Sequence, residues 1–276
     1  MIQMERLKPR YVTVDHFNVR YLDSARRRAQ TLVFVHGLGG SIESWKNNIE
    51  PLSGIFRILV LDLPGFGLSD KPLMDYTIGF YSSLIMKFIR ELKVQLPINI
   101  VGSSLGGQIA ADIAILNPQI VRKLILISPA GITPKSFVNS PGLHAYTNIL
   151  KATSLARIKK LMSMSSTVPV SNAYATMILQ RISMPGAKEA FTSALKHSAD
   201  ARRIDTKRIK SHTLVIWGKE DLVIPVKFVS PFITMKNCRV NVIENCGHRP
   251  HAERPVIINA IIQNFIQEKW VSHYYK

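Results

Sequence analysis

The pentapeptide Gly102-Ser103-Ser104-Leu105-Gly106 constrains the fold of this chain more than any other feature. A hydrophobic run at positions 97–101 ends at this pentapeptide, and a helical pattern begins directly after it. A G-x-S-x-G sequence between a strand and a helix lifts its central serine to the tip of a sharp turn. Ser104 has a glycine two residues before it and another two after it, whereas Ser103 has neither. Ser104 is therefore the candidate nucleophile.

Gly102 and Gly106 are expected to lie close together on the two sides of this turn. A Cβ atom at either position would clash, and glycine tolerates the unusual backbone angles of a tight bend. A serine hydroxyl is still a weak nucleophile until a base takes its proton. The rest of the chain must therefore supply a base, an acid that orients the base, and donors for the developing oxyanion.

Buried-strand patterns alternate with helical patterns along most of the chain. Near-continuous runs of valine, isoleucine and leucine are typical of parallel strands covered on both faces, so we predict an α/β fold. The strands are predicted at 11–14, 18–22, 31–36, 56–62, 97–103, 121–127, 212–217 and 238–243, the first two as an antiparallel pair. Helices are predicted at 42–52, 76–92, from the serine turn to about 116, and at 253–269.

The segment 133–203 interrupts this alternation and predicts helices at about 142–164, 171–182 and 187–199. We expect it to form a helical cap inserted into a core domain of residues 1–132 and 204–276. Residues 134–203 hold ten Lys and Arg against two acids, Glu189 and Asp200. Four methionines in the cap could shape an acyl pocket while the basic face contacts an anionic membrane surface. Alternatively, these methionines only pack the cap onto the core: Met162, Met164, Met177 and Met184.

A base and its acid are expected downstream, in the order serine, acid, histidine that this type of turn predicts. Asp221 follows the strand at 212–217 and should lie at the same edge of the sheet as Ser104, with Glu220 as the competing acid. His248 follows Gly247 in the loop after the last strand, and is the candidate base. His251 is the weaker candidate, with packing as its expected role.

Two backbone N–H groups are candidates for the oxyanion hole. The sequence His36-Gly37-Leu38-Gly39-Gly40 ends a strand that should neighbour the nucleophile strand, and the N–H of Leu38 can face the pocket. The N–H of Leu105 lies at the start of a helix, where the helix dipole favours negative charge. Gly37 and Gly39 should support this loop, and His36 is expected to have a structural role.

The composition limits the remaining classes of function. The 276 residues include 36 Lys and Arg against 18 Asp and Glu, a net charge of +18, which either reflects a solvated basic surface or favours binding to polyanions. No nucleic-acid-binding module is visible, so nucleic acid is not an expected partner. The His and Cys residues form no metal-binding pattern, and no cofactor or metal is expected. The two cysteines are expected to be free thiols.

Two features of the sequence bear on the expected location of the protein. No apolar run approaches the roughly 20 residues that span a bilayer, and the first ten residues lack the apolar core of a signal peptide. We therefore expect a cytoplasmic protein that acts on a small-molecule ester. The oligomeric state is left open.

In this order, the motifs give the chain a close resemblance to the α/β-hydrolase superfamily, and within it to the capped serine hydrolases of the esterase, lipase and C–C hydrolase branch. The resemblance runs from about residue 30 to the C-terminus. It implies an eight-stranded, mostly parallel sheet flanked by helices, an acyl-enzyme intermediate and no cofactor. It also implies that the Asp62 loop forms a wall of the pocket. The matching segments are 36–40 with Trp45, 62–69, the turn at Ser104, 217–221, and Gly247-His248-x-Pro250-His251-x-Glu253-x-Pro255.

Several branches of this superfamily fit less well. Haloalkane dehalogenases and epoxide hydrolases carry Asp where this chain has Ser104, and proline iminopeptidases use acids in the cap, which is basic here. C–C hydrolases of ring-cleavage pathways usually show Ser-x-Pro-Gly after the first His-Gly and an aromatic residue after the catalytic histidine. This chain has Leu38-Gly39-Gly40 and Arg249 at those positions. We therefore expect a carboxylesterase or lipase acting on apolar acyl esters; the alternatives are a C–C hydrolase or a non-turnover small-molecule receptor.

Overall fold

An eight-stranded sheet lies at the centre of the protein, with the strand order β1-β2-β4-β3-β5-β6-β7-β8. The computed structural model describes residues 7–134, 136–137 and 140–268. β2 pairs antiparallel with β1 and β4, and the other neighbouring strands are parallel. The strands are β1 Arg10–Val14, β2 Phe17–Asp23, β3 Thr31–Val35, β4 Arg57–Leu61, β5 Ile98–Ser103, β6 Val121–Ile127, β7 His212–Gly218 and β8 Cys238–Ile243.

The most completely buried hydrophobic segments form the central strands of the sheet. Every residue of β3, β4 and β5 is buried, as expected for parallel strands covered on both faces. One hydrophobic cluster packs on each face of the sheet, with Tyr81 and Phe88 in one and Trp45 and Phe265 in the other. The edge strand β8 has no fully buried residue. The predicted α/β class and the eight-stranded, mostly parallel sheet are confirmed.

Helices cover both faces of the sheet and connect the strands. They are α1 Lys46–Ser53, α2 Ile78–Glu91, α3 Leu105–Leu116, α4 Pro141–Thr147, α5 Leu155–Ser163, α6 Asn172–Ile182, α7 Ala187–Asp200, α8 Ser230–Ile233, α9 Pro250–Glu253 and α10 Pro255–Gln267. The predicted start of the last helix at Glu253 is wrong, because α9 ends there and α10 begins at Pro255. Its predicted end at Lys269 lies outside the described residues.

The segment between β6 and β7 is helical and contains α4 to α7. The single helix predicted at 142–164 is wrong, since α4 is followed by a 3-10 helix, Asn148–Lys151, and then by α5. Ser154 accounts for the break: its hydroxyl accepts a hydrogen bond from the Arg157 N–H and caps the start of α5. The division into a core domain and a cap at residues 133–203 stays a prediction.

The topology places four loops at one edge of the sheet. The parallel strands β3, β5, β7 and β8 all end at this edge, and the chain crosses from one side of β3 to the other between β4 and β5. Ligands of open α/β sheets bind outside the carboxyl ends of the strands at such a reversal of strand order. Gly37, Ser104, Asp221 and His248 follow these four strands in turn.

Within residues 7–134, 136–137 and 140–268, no helix combines the length and apolarity needed to cross a bilayer. The segment at 1–10 that lacks a signal-peptide core begins outside the described residues, since the structure describes the chain from residue 7. Cys238 and Cys246 are free thiols.

Candidate active site

Ser104 occupies a strained turn that its surroundings hold in place. Its backbone angles are φ 53° and ψ −118°, a conformation that costs energy for any residue with a side chain. The Ser104 N–H donates to Ile127 O at 2.9 Å, which ties the turn to the end of β6. The Ser104 carbonyl accepts from the N–H groups of Gly107 and Ala130, both at 2.9 Å. The main chain therefore fixes the position from which the hydroxyl projects.

The positions of the glycines around Ser104 leave no room for a side chain. A Cβ on Gly102 would lie 2.2 Å from Gly106 O, and one on Gly106 would lie 2.2 Å from Val35 O. A Cβ on Gly37 would lie 3.0 Å from the Ser104 Cβ, so the loop after β3 passes directly beside the candidate nucleophile. These contacts explain the glycine pattern through the close approach of β3, β5 and α3.

His248 and Asp221 form a buried pair. The Nδ1 atom of His248 lies 2.8 Å from Asp221 Oδ2, and the side chains are 3% and 0% exposed. Asp221 Oδ1 accepts the N–H groups of Val223 and Ile224, both at 2.9 Å, which aims the other oxygen at the ring. Because a carboxylate only accepts, Nδ1 carries the proton of a neutral ring and Nε2 keeps a free lone pair. This is the tautomer that a general base needs.

Ser104 and His248 line one small cleft of about 50 Å³. Among the described residues, no hydrogen bond joins the Ser104 hydroxyl to the imidazole. Catalytic hydrogen bonds are often long in the absence of substrate and shorten in the complex. The arrangement therefore places the candidate nucleophile and the candidate base on the same cleft.

Glu220, the competing acid, lies elsewhere. Its carboxylate accepts the Cys246 N–H at 2.8 Å, a hydrogen bond that lowers the pKa of Glu220. The structure thus brings Asp221, and not Glu220, against His248. Glu220 instead fixes the start of the loop that carries the histidine.

Glu253 holds the same loop from the other side, a role that the sequence did not reveal. Its buried carboxylate accepts the N–H of Gly247 at 2.9 Å and the N–H of Arg249 at 3.0 Å, the residues on either side of His248. It also accepts the N–H and the hydroxyl of Thr167, at 2.8 and 2.9 Å. One carboxylate therefore joins the histidine loop to the segment between α5 and α6.

A main-chain hydrogen bond reinforces this link. The His248 N–H donates to the carbonyl of Ser165 at 3.0 Å, and the Thr167 Oγ1 atom also lies 2.9 Å from Asn245 O. The helical segment between β6 and β7, here called the helical insertion, is therefore bonded directly to the candidate base. No sequence pattern marks Ser165 or Thr167, because their roles depend on how the insertion docks.

The two predicted oxyanion donors lie beside Ser104. Leu38 and Leu105 line the same large cavity as the Ser104 side chain. Neither backbone N–H donates to another group in the part of the chain that the structure describes. Leu105 is the first residue of α3, so its N–H also carries the positive end of the helix dipole. Gly39 supports the loop with a left-handed φ of 69°.

Two further buried histidines lie near the site, one held by hydrogen bonds and the other by ring packing. His36 Nε2 accepts the Leu63 N–H at 3.0 Å, so Nδ1 donates to Gly37 O at 2.7 Å, and burial lowers the pKa of His36. The ring of His251 stacks on Trp45 with centroids 4.2 Å apart, and burial lowers the pKa of His251 to about 3.

An apolar cavity of about 340 Å³ opens at Ser104 between the sheet edge and the helical insertion. Within the described residues, no cluster of three or more His, Cys, Asp or Glu side chains could hold a metal ion. Most residues that line the cavity are apolar, and among them are Leu38, Phe137, Leu143, Leu195 and Ile224. Asp200, Arg202 and Arg203 also line it.

A family model described as alpha/beta hydrolase fold matches residues 30–255, and the chain belongs to this family. The match covers the turn at Ser104, both candidate acids and the loop of His248. The fold, the position of the serine turn and the edge at which the loops gather all agree with this assignment. The protein is therefore an alpha/beta hydrolase.

Particular relatives carry several different activities. The chain is 27% identical over 264 residues to the dihydrolipoyllysine-residue acetyltransferase component of the acetoin cleaving system of Cupriavidus necator, covering 93% of this chain and 68% of the relative. It is 26% identical over 267 residues to 2-hydroxy-6-oxononadienedioate/2-hydroxy-6-oxononatrienedioate hydrolase 1 of Pseudomonas putida, covering 90% and 92%. The crystal structure of a bacterial membrane phospholipase A, described as a virulence factor, superposes with a TM-score of 0.82 at 28% identity, covering 95% and 86%. Similarity at this level leaves the substrate open.

Proposed function

We propose that the protein hydrolyses carboxylic esters of apolar acids through Ser104, His248 and Asp221. The observation that carries this proposal is the apolar cavity of about 340 Å³ that opens at Ser104. An acyl chain that fills it removes apolar surface from water, at about 25 cal/mol for each Å² buried. Its lining is predominantly apolar, as is usual for a small-molecule site.

The proposed reaction uses each of these groups in turn. Ser104 Oγ attacks the ester carbonyl carbon while His248 Nε2 takes the hydroxyl proton, and the imidazolium that forms is stabilised by Asp221. The N–H groups of Leu38 and Leu105 donate to the oxyanion. Collapse of the tetrahedral intermediate breaks the bond to the alcohol oxygen, which receives the proton from His248. An acyl-serine remains.

Water completes the cycle. His248 takes a proton from a water molecule, whose oxygen attacks the acyl carbon, and the second tetrahedral intermediate collapses with release of the acid. Ser104 recovers its proton from the imidazolium. The helical insertion acts as a cap that closes the cavity and shields the acyl-enzyme from bulk solvent.

A second candidate is hydrolysis of a C–C bond in an unsaturated dioate. The similarity to the Pseudomonas putida hydrolase over 90% of this chain favours it, since that relative acts on dioates by its name. This chain has Arg249, and not an aromatic residue, after the candidate base. Side-by-side turnover of a dienedioate and an apolar ester separates the two functions.

The direct test is hydrolysis of p-nitrophenyl esters with acyl chains from two to sixteen carbons, with Ser104→Ala as the comparison. We expect turnover over a limited range of chain lengths, set by the cavity, and its loss in the variant. A protein that hydrolyses no ester, although a fluorophosphonate still labels Ser104, would disprove the ester proposal. It would favour a C–C hydrolase or a receptor with a reactive serine.

A further inference from the structure

Arg249 extends from the histidine loop over an aromatic ring of the insertion. It directly follows His248, and its Cζ atom lies 5.5 Å from the centroid of the Tyr174 ring on α6. Its Nη1 donates to the Tyr174 hydroxyl at 3.3 Å. Stacking on a ring and one hydrogen bond hold the planar guanidinium in a defined place.

Among the described residues, the guanidinium of Arg249 has no anionic partner. Its Nε atom is buried without a hydrogen-bond partner, and no carboxylate in the described part of the chain forms an ion pair with the side chain. From Arg249, Glu253 accepts the backbone N–H and no group of the guanidinium, among the described residues. A buried donor left without an acceptor is costly, and the cost is greater for a charged group. A ligand anion at this position would supply the missing acceptor.

Arg249 lies at the junction of two cavities. It lines the cleft of about 50 Å³ that contains Ser104 and His248, and also a neighbouring cavity of about 160 Å³. Lys46 lines the second cavity, with its Nζ 6.0 Å from the centroid of the Tyr174 ring. Ser104 therefore lies between the large, predominantly apolar cavity and a small cleft lined by Arg249, and Arg249 also lines the neighbouring cavity that Lys46 lines.

Two acids line that second cavity, and both carboxylates are already bound: Glu253 accepts the backbone N–H groups of Gly247 and Arg249, and Glu43 forms ion pairs. Glu43 lines it, but the carboxylate binds Arg20 at 2.9 Å and Arg181 at 2.8 Å. The positive charge of Arg249 and Lys46 is therefore available to a ligand. Arg249 also contributes, after burial, to the lowered pKa of the adjacent His251 ring.

The histidine shows which part of the substrate would meet Arg249. The imidazole protonates the departing alcohol oxygen, so the alcohol part of the ester leaves on the His248 side of Ser104. Building on the proposed ester hydrolysis, we propose that Arg249 binds an anionic group, phosphate or carboxylate, on the alcohol part of the substrate. A guanidinium suits both groups because it can donate two parallel hydrogen bonds to their oxygens. The substrate class is an apolar acyl ester of an anionic alcohol.

Four octanoyl esters with one acyl chain and different alcohols test this inference: glycerol, glycerol 3-phosphate, glycolate and choline. We expect kcat/KM to be higher for the phosphate or glycolate ester than for the glycerol ester, and lowest for the cationic choline ester. Whichever of the two anionic esters is preferred identifies the source of the anion. In Arg249→Gln, the ratio of the preferred anionic ester to the glycerol ester should fall about tenfold to a hundredfold, mainly through KM.

Two further variants control for charge and geometry. Arg249→Lys keeps the charge without the planar fork and should recover part of the preference. Arg122→Gln removes the same charge from an exposed position near the start of β6, at the other end of the strand from the site, and should keep the ratio of the wild-type protein. An equal ratio in the wild-type protein and Arg249→Gln would overturn the inference.

Failure of the ester proposal would be distinguishable. If no ester is hydrolysed, calorimetric binding of octyl phosphate, octanoate and octanol still measures the anion preference directly. Weaker binding of either anion to Arg249→Gln, with octanol binding little changed, would support the role of Arg249. Unchanged binding of both anions would refute it.

Discussion

Two loops at the same edge of the sheet each hold a buried histidine beside a glycine, yet only one of these histidines is arranged for chemistry. His36 and His248 are 0% and 3% exposed, so burial does not separate them. Both nitrogens of His36 bind main-chain groups, one accepting from Leu63 and the other donating to Gly37. His248 has a carboxylate on one nitrogen and a cleft at the other. His36 and His248 therefore differ in the partners of their ring nitrogens and not in their burial.

The carboxylates that hold the two loops also contact different parts of the protein. Asp62 accepts the N–H groups of Ile42 and Leu68 at 2.7 and 2.8 Å, all within the sheet edge itself. Glu253 binds main-chain groups of the histidine loop and of the helical insertion. The Asp62 contacts therefore stay within the sheet edge, whereas Glu253 joins the His248 loop to the insertion. The insertion reaches the His36 loop through the Tyr146 hydroxyl, which donates to Leu38 O at 2.9 Å.

Removal of the candidate nucleophile has the largest expected effect. Ser104→Ala should lower kcat for ester hydrolysis by about 10⁴-fold or more, because no other group can form the acyl-enzyme. The free energy of unfolding should not fall, since the turn is held by main-chain hydrogen bonds. Steady-state kinetics and urea denaturation measure the two effects.

Ser103→Ala is the matched control, one residue earlier on the same turn, and should keep most of the activity. Retention of full activity by Ser104→Ala, or its loss in Ser103→Ala alone, would reverse the assignment of the nucleophile.

Removal of the charge of Asp221 tests whether its carboxylate is what makes His248 different from His36. Asp221→Asn should lower kcat by about 10³- to 10⁴-fold, because the amide can donate to Nδ1 and select the wrong tautomer. Glu220→Gln changes the neighbouring residue in the same way and should have a far smaller effect. If Glu220→Gln is the more damaging variant, the acid lies at 220.

Weakening the link between the histidine loop and the insertion should have an intermediate effect. Glu253→Gln keeps the shape of the side chain but replaces one acceptor oxygen with an NH₂ group that opposes backbone donors. We expect a loss of about 1–3 kcal/mol in the free energy of unfolding, and about a tenfold to hundredfold fall in kcat as His248 shifts.

A positioning role for Glu253 predicts that kcat falls while KM changes little, at a temperature where the variant is fully folded. Equal kcat values in folded wild-type and variant protein would show that Glu253 acts on stability alone.

Sequence reasoning found the groups that belong to short local patterns. The turn at Ser104, Asp221 after β7 and His248 after β8 each follow a strand end, so strand order alone predicts a common edge. The requirement for glycine at Gly102 was likewise predictable, because a tight turn leaves no room for a Cβ.

Groups that act across long sequence separations were not predictable. Glu253 and Thr167 meet only because the insertion docks on the histidine loop, 86 residues away in the chain. The break between α4 and α5 was missed because the apolar periodicity continues through it, while the Ser154 cap is a single polar residue. Arg249 was noted only as a departure from a family pattern, since its unpaired Nε depends on three-dimensional burial.

A third histidine sharpens the comparison through the effect of pH on stability. The pKa of His251 is about 3 in the folded protein, below the value of about 6.5 for an exposed histidine. Because the unfolded chain binds the proton more readily, stability contributed by the neutral ring is present above about pH 6.5 and is lost as the pH falls. The loss amounts to at most about 1.4 kcal/mol per pH unit from this ring.

His251→Phe keeps an aromatic ring on Trp45 and removes this titration. The free energy of unfolding should therefore fall less steeply between pH 7 and pH 4 in the variant than in the wild-type protein, as measured by urea denaturation at each pH. His36 is also buried and neutral, so part of the slope should remain. Identical slopes in the two proteins would mean that His251 becomes charged in the folded state, and that its ring is not the inert packing element that separates it from His248.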